Sequence, residues 1–124
     1  MTTLLDSNII IYAAQPDHPD LRRLIAEISP SVSAVSLVEV LGYHRLTEAE
    51  CRHFEAFFRA ATVLPLSEAI IAESMRLRQL RKMTLGDAFI AATALVYDLE
   101  LLTHNLDDFA WVAGLNVRDP LASP

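Results

Sequence analysis

Residues 84–109 read TLGDAFIAATALVYDLELLTHNLDDF, and the rest of the chain is arranged around this stretch. Side chains at helical spacing run Asp87, Ile90, Ala91, Ala94, Leu95, which puts a carboxylate in line with the face a helix should bury. LELLT then has the length and content of a short strand. The polar turn beyond it is crowded with Asn105, Asp107 and Asp108. An acid in line with an apolar stripe needs an explanation.

Backwards from Thr84, SEAIIAESMRLRQLRKM reads as a helix opened by Ser67, with Ile70, Ile71, Met75 and Leu80 among its apolar positions. Its last turns are expected to hold Arg76, Arg78, Arg81 and Lys82. Those cations either complement the negative end of the helix dipole or form a small patch that steers phosphates. TVLPL is a strand. LTEAECRHFEAFFRAA is a helix capped by Thr47 with Glu50 three residues on, and Phe54, Phe57 and Phe58 make one side of it core or a dimer face. SVSAVSLVEVLGYHR opens with strand-like alternation and is expected to turn helical at Ser36, with Glu39 in the first turn. PDHPDLRRLIAEISP is a packing helix with Pro19 near its first turn and Pro30 closing it.

At the start, TTLLD is a strand ending on Asp6, and SNIIIYAA follows as a helix capped by Asp6 or Ser7. At the other end, NLDDFAWVA is a short helix and GLNVRDPL an edge strand beyond Gly114. Strands alternating with helices over 124 residues predict a single domain over residues 1–124, a three-layer α/β/α sandwich with a mostly parallel central sheet. In such sheets ligands bind beyond the carboxyl ends of the strands.

The composition narrows the function. The N-terminal apolar run contains an acid and lacks a basic flank, so neither a signal peptide nor a membrane span is expected, and the protein should be soluble and cytoplasmic. One cysteine, Cys51, excludes an internal disulfide and reads as a packed thiol. A net charge of −6 argues against broad electrostatic capture of nucleic acid, leaving a local basic patch or acids masked by bound cations. The four histidines have none of the short spacings of zinc sites; His104, next to Asn105, either shuttles protons or is an ordinary surface loop residue.

Asp6, Glu39 and Asn105 follow strands, and Asp87 begins a helix, so parallel topology can bring all four to one crevice. Each acid also has an ordinary explanation. Ser36 with Glu39, and Thr84 with Asp87, have capping-box spacing, and Asp6 suits an N-cap. Yet all three lie in apolar surroundings, LLDSNII, LVEVLG and GDAFIAA, where a carboxylate needs a hydrogen bond, a proton or a cation. Oxygen-only ligands select Mg²⁺ or Mn²⁺ over zinc, and such a centre suits phosphoryl chemistry.

With LLDSNIIIY, SAVSLVEVLGY, LGDAFIAATALVYDLELLTHNLDDF and GLNVRDP in this order, the chain resembles the PIN domain family, most closely the VapC-type toxins of toxin–antitoxin pairs. The resemblance implies a metal-dependent endoribonuclease in which Asp6, Glu39 and Asp87 hold Mg²⁺ or Mn²⁺. Asn105 matches a position where the family carries a further acid or an amide, and Asp108 is near enough to contribute through a second metal or water. Ser7 and Asn8 match residues that orient the site by hydrogen bonds. The resemblance further implies in-line attack of activated water on an RNA phosphodiester, a homodimer, and a VapB-type antitoxin whose tail wraps the nuclease and often brings an arginine to the metal site. A receiver or a dehalogenase-like phosphatase would want a lysine late in the chain, whereas Lys82 is the only lysine and precedes Asp87. The alternative within the same fold is an inactive interaction module.

Overall fold

A computed structural model describes residues 2–122. The chain runs β1 (Thr3–Leu5), α1 (Ser7–Ala13), α2 (Pro19–Ile28), β2 (Ser31–Ser33), α3 (Ala34–Leu41), α4 (Glu48–Ala60), β3 (Thr62–Leu64), α5 (Glu68–Leu80), α6 (Leu85–Tyr97), β4 (Glu100–Leu102), α7 (Leu106–Phe109) and β5 (Val117–Arg118). All four strand pairings are parallel, in the order β3-β2-β1-β4-β5. The expected mostly parallel sandwich is therefore what forms.

Alternation along three-residue strands is enough to build two cores. Leu4 and Leu101, paired across β1 and β4, join Ile70 and Leu77 of α5 and Ile90, Ala91 and Ala94 of α6 on one face. Leu5 and Leu102, the next pair, turn to the opposite face with Val32, Ile9, Ile10, Val40, Phe54 and Phe58. Truncating any of the fully buried leucines to alanine removes about 2–5 kcal/mol by transfer and cavity costs.

The phenylalanines of α4 are core at Phe54 and Phe58, with Phe57 partly buried against them. Among the expected apolar positions of α5, Ile70 is fully buried, but Met75 and Leu80 are 59% and 64% exposed. This helix also stops at Leu80, where Arg81 takes an extended backbone, so Arg81 and Lys82 lie in the connection to α6 and outside its last turn. Helix α7 ends at Phe109, earlier than expected. Cys51 is only half-buried and donates its thiol to Glu55 at 3.1 Å, so it is not a packed core group.

The strand order reverses at β1: the chain moves outward through β2 and β3, then crosses back to place β4 on the other side of β1. A crevice opens at such a switch point, beyond the carboxyl ends of the two strands that flank it. Asp6 follows β1 and Thr103–Asn105 follow β4.

Candidate active site

Asp6 forms the floor of the crevice. It is 6% exposed and caps α1, its Oδ1 accepting the Ser7 N–H at 2.8 Å while Oδ2 accepts the Thr103 hydroxyl at 2.8 Å. Its own N–H donates to the Leu102 carbonyl at 2.9 Å, which continues the β1–β4 ladder and fixes the backbone. Thr103, fully buried, also accepts the Asn105 N–H at 3.0 Å. Burial pushes the Asp6 carboxyl up to about 6 against the pull of the Thr103 and Ser7 hydrogen bonds, and the charges of Asp87 and Glu39 raise it further.

Glu39 arrives from α3, which begins at Ala34 under a Ser33 cap, not at Ser36. Glu39 therefore lies in the second half of that helix, and the expected Ser36–Glu39 capping box does not form. Ser33, the last residue of β2, already supplies the cap. Both supposed box members turn to the crevice instead. The Ser7 hydroxyl donates to Glu39 Oε1 at 2.7 Å and lies 2.8 Å from the hydroxyl of buried Ser36. A carboxylate only accepts and a hydroxyl has one proton, so Ser36 donates to Ser7 and Ser7 to Glu39.

Asp87 stands third in α6. Thr84 caps this helix, accepting the Asp87 N–H at 3.1 Å, and only that forward half of the capping box forms. Desolvation raises the Asp87 carboxyl first, then the charge of Asp108, with the Thr84 hydroxyl pulling it down and Glu39 adding to the rise. Asp6 thus feels the charges of Asp87 and Glu39, and Asp87 those of Asp108 and Glu39. Among the described residues none of them has a salt-bridge partner.

Asn105 is exposed at the start of α7, makes no side-chain cap bond, and lines a polar recess of about 330 Å³ with His104, Asp107 and Asp108. Asn8 orients the neighbouring loop, its Oδ1 accepting the His104 N–H at 3.4 Å. His104 is more constrained than a free loop residue. Its Nδ1 lies 3.0 Å from Asp119 Oδ2, and its ring packs edge-to-face with Tyr12 at 5.3 Å.

The cations stay outside the acid cluster. Arg76 pairs with Glu73, and Arg78 Nε donates to the Met83 carbonyl at 3.3 Å. Arg81 lies 5.4 Å from the Trp111 ring, whose indole N–H donates to the Asp108 carbonyl at 3.1 Å. Lys82 lines a separate surface groove with Arg78.

The donor chemistry fits a hard divalent cation: carboxylate oxygens that repel one another and, among the described residues, pair with no cationic side chain. Among the described residues no three acids already enclose one point as a finished cage.

A sequence profile of the PIN domain matches residues 3–115. The chain belongs to the PIN domain family. Its fold is similar to that of a chain in a toxin–antitoxin complex from Klebsiella pneumoniae, with a TM-score of 0.78 at 27% identity over 98% of this chain and 100% of that one. VapBC-1 from nontypeable Haemophilus influenzae gives 0.78 at 25% identity, over 96% and 98%. DNA-bound VapBC from Salmonella typhimurium gives 0.84 at 20% identity over the same shares, a likeness of fold alone. A search of curated proteins finds no match.

Two residues of this PIN domain's crevice escape a reading from sequence. Thr103 looks like the end of an apolar strand, and Ser36 like a cap. The only signal for Thr103 is a hydroxyl closing LELLT just before Asn105. Ser36 has none, because its partner lies 29 residues away on α1.

Proposed function

We propose that this PIN domain is a Mg²⁺- or Mn²⁺-dependent endoribonuclease acting as the toxin of a VapBC-type pair. The observation that carries this reading is that Asp6, buried beyond the carboxyl end of β1, feels the charges of Glu39 and Asp87, and Asp87 those of Asp108 and Glu39, with burial the largest cause raising the Asp6 and Asp87 carboxyls. Acids held in that state gain from a divalent cation as they would from a proton.

Asp6, Glu39 and Asp87 would hold the ion, with Asp108 acting through water or a second ion. The ion would polarise the scissile phosphate and make a nearby water more acidic. The protein's own part is orientation. Thr103 and the Ser7 N–H keep both Asp6 oxygens aimed, the Ser36–Ser7 relay keeps Glu39 in its rotamer, and Asn105 presents a neutral amide to the phosphate. Water adds to phosphorus as the bond to the 3′-oxygen breaks, leaving a 5′-phosphate and a 3′-hydroxyl.

The neighbour from K. pneumoniae is part of a toxin–antitoxin complex, which supports an antitoxin partner here. A groove of about 590 Å³, lined by Ile11, Val40, Tyr43, Leu46 and Phe54 with Glu39 and Glu50 among its walls, suits an apolar tail ending in a basic residue. Ile71, Met75 and Leu85, all exposed along the α5–α6 groove, suit a second copy of the chain.

Cleavage of single-stranded RNA with added Mn²⁺ tests the activity, beside calorimetric titration of Mn²⁺ into wild type and Asp6→Asn. Loss of both cleavage and binding in a folded Asp6→Asn is expected. A wild type that binds no Mn²⁺ overturns the reading, and light scattering on the same sample reports whether the mass is that of a dimer.

A further inference from the structure

We infer that Gly86 is a positioning residue whose missing side chain makes room for the Glu39 carboxylate beside Asp87. The inference rests on the metal-site reading above and deepens it. Gly86 lies in the first turn of α6, where glycine is a poor helix former. Its backbone does not call for glycine, because among the described residues the only glycine with positive φ is Gly114, at 81°. Space does call for it. A Cβ at Gly86 would lie 2.4 Å from Glu39 Oε2, 3.1 Å from Cδ and 3.5 Å from Oε1, so its three nearest neighbours all belong to one carboxylate.

The contrast with Gly42 shows what kind of constraint this is. A Cβ there would strike the Val38 carbonyl at 2.2 Å, and backbone cannot move away cheaply. The Glu39 carboxylate is the end of a flexible side chain and can swing aside, so the fold should tolerate alanine at position 86. What cannot survive the swing is the 2.7 Å bond from Ser7 to Oε1, and with it the orientation of Glu39 toward the other acids. Gly86 and Ser7 thus act as a pair, one leaving space on the Oε2 side and the other holding Oε1.

The test is Mn²⁺ titration by calorimetry on Gly86→Ala, Glu39→Asp and the double variant, with metal-free thermal melts of each. Gly86→Ala should keep or raise Tm while its Mn²⁺ affinity falls about tenfold or more. Because aspartate is one methylene shorter, adding Gly86→Ala to Glu39→Asp should cost little further affinity. A lowered Tm with unchanged affinity, or losses that add fully in the double variant, overturns the proposal. A second cycle needs no metal: in a Glu39→Ala background Gly86→Ala should raise Tm by about 3 °C, and by less in the wild-type background. Equal shifts in both backgrounds overturn the contact. A wild type that binds no Mn²⁺ while this cycle shows coupling removes the metal reading alone.

Discussion

Helices α4 and α6 open on the same pattern, Thr-x-x-acid, and put the acid to opposite uses. Thr47 and Glu50 close both halves of a capping box on the surface, the Thr47 hydroxyl taking the Glu50 N–H at 3.1 Å and Glu50 taking the Thr47 N–H at 2.9 Å. Thr84 takes the Asp87 N–H at the same distance, but no return bond forms. The two carboxyls shift in opposite directions. Hydrogen bonding to the Thr47 backbone lowers Glu50, whereas desolvation and Asp108 raise Asp87. The motif sets where a helix starts, and the surroundings decide whether its acid serves that start or a site.

Exchanging the acid for its amide should break the comparison most strongly. Asp87→Asn is expected to lower RNA cleavage on the order of a hundredfold or more, while Glu50→Gln leaves it unchanged. Steady-state kinetics on the two folded variants measure the difference, and equal rates would remove Asp87 from the site.

The pH dependence of stability extends the contrast to Asp6. Its folded pKa of about 6 exceeds the 3.8 of a free carboxyl, so its contribution is fully present below pH 3.8 and is lost as pH rises through 6. The loss is at most about 3 kcal/mol in metal-free protein, and Asp6→Asn should remove that slope from denaturant melts taken between pH 4 and 7. Glu50, lowered, has the opposite sign: its contribution is present above the ordinary glutamate value and is lost as pH falls through the folded one.

The smallest effect comes from the cap residues. Thr47→Ala and Thr84→Ala should each cost about 1 kcal/mol of stability. Only Thr84→Ala should also alter Mn²⁺ affinity, since its hydroxyl pulls the Asp87 carboxyl down. Paired melts and titrations check this, and matching Mn²⁺ affinities would reduce Thr84 to a cap.

Much of this was legible along the chain. Short apolar runs closed by Asp6 and by Thr103 announce parallel strands, and the Thr47 box forms as spaced. Ser36 has the spacing of a cap, but Ser33, three residues earlier, has equal capping chemistry and stands at the true strand end. Arginine and lysine are good helix formers and extend α5 on sequence grounds, yet Arg81 leaves the helix and stacks on Trp111.

From its sequence alone, then, the stretch from Thr84 to Phe109 determined a helix start, a strand and an acid in line with a buried stripe, because helix and strand periods are local properties. Only the tertiary structure decided what the acid faces. Strand order brought Asp6 and Thr103 together across 97 residues, and Glu39 reached its hydroxyl on α1 and the bare Cα of Gly86. Whether a carboxylate is a cap or part of a charged site depends on burial and on neighbours distant in sequence, and no local spacing encodes either.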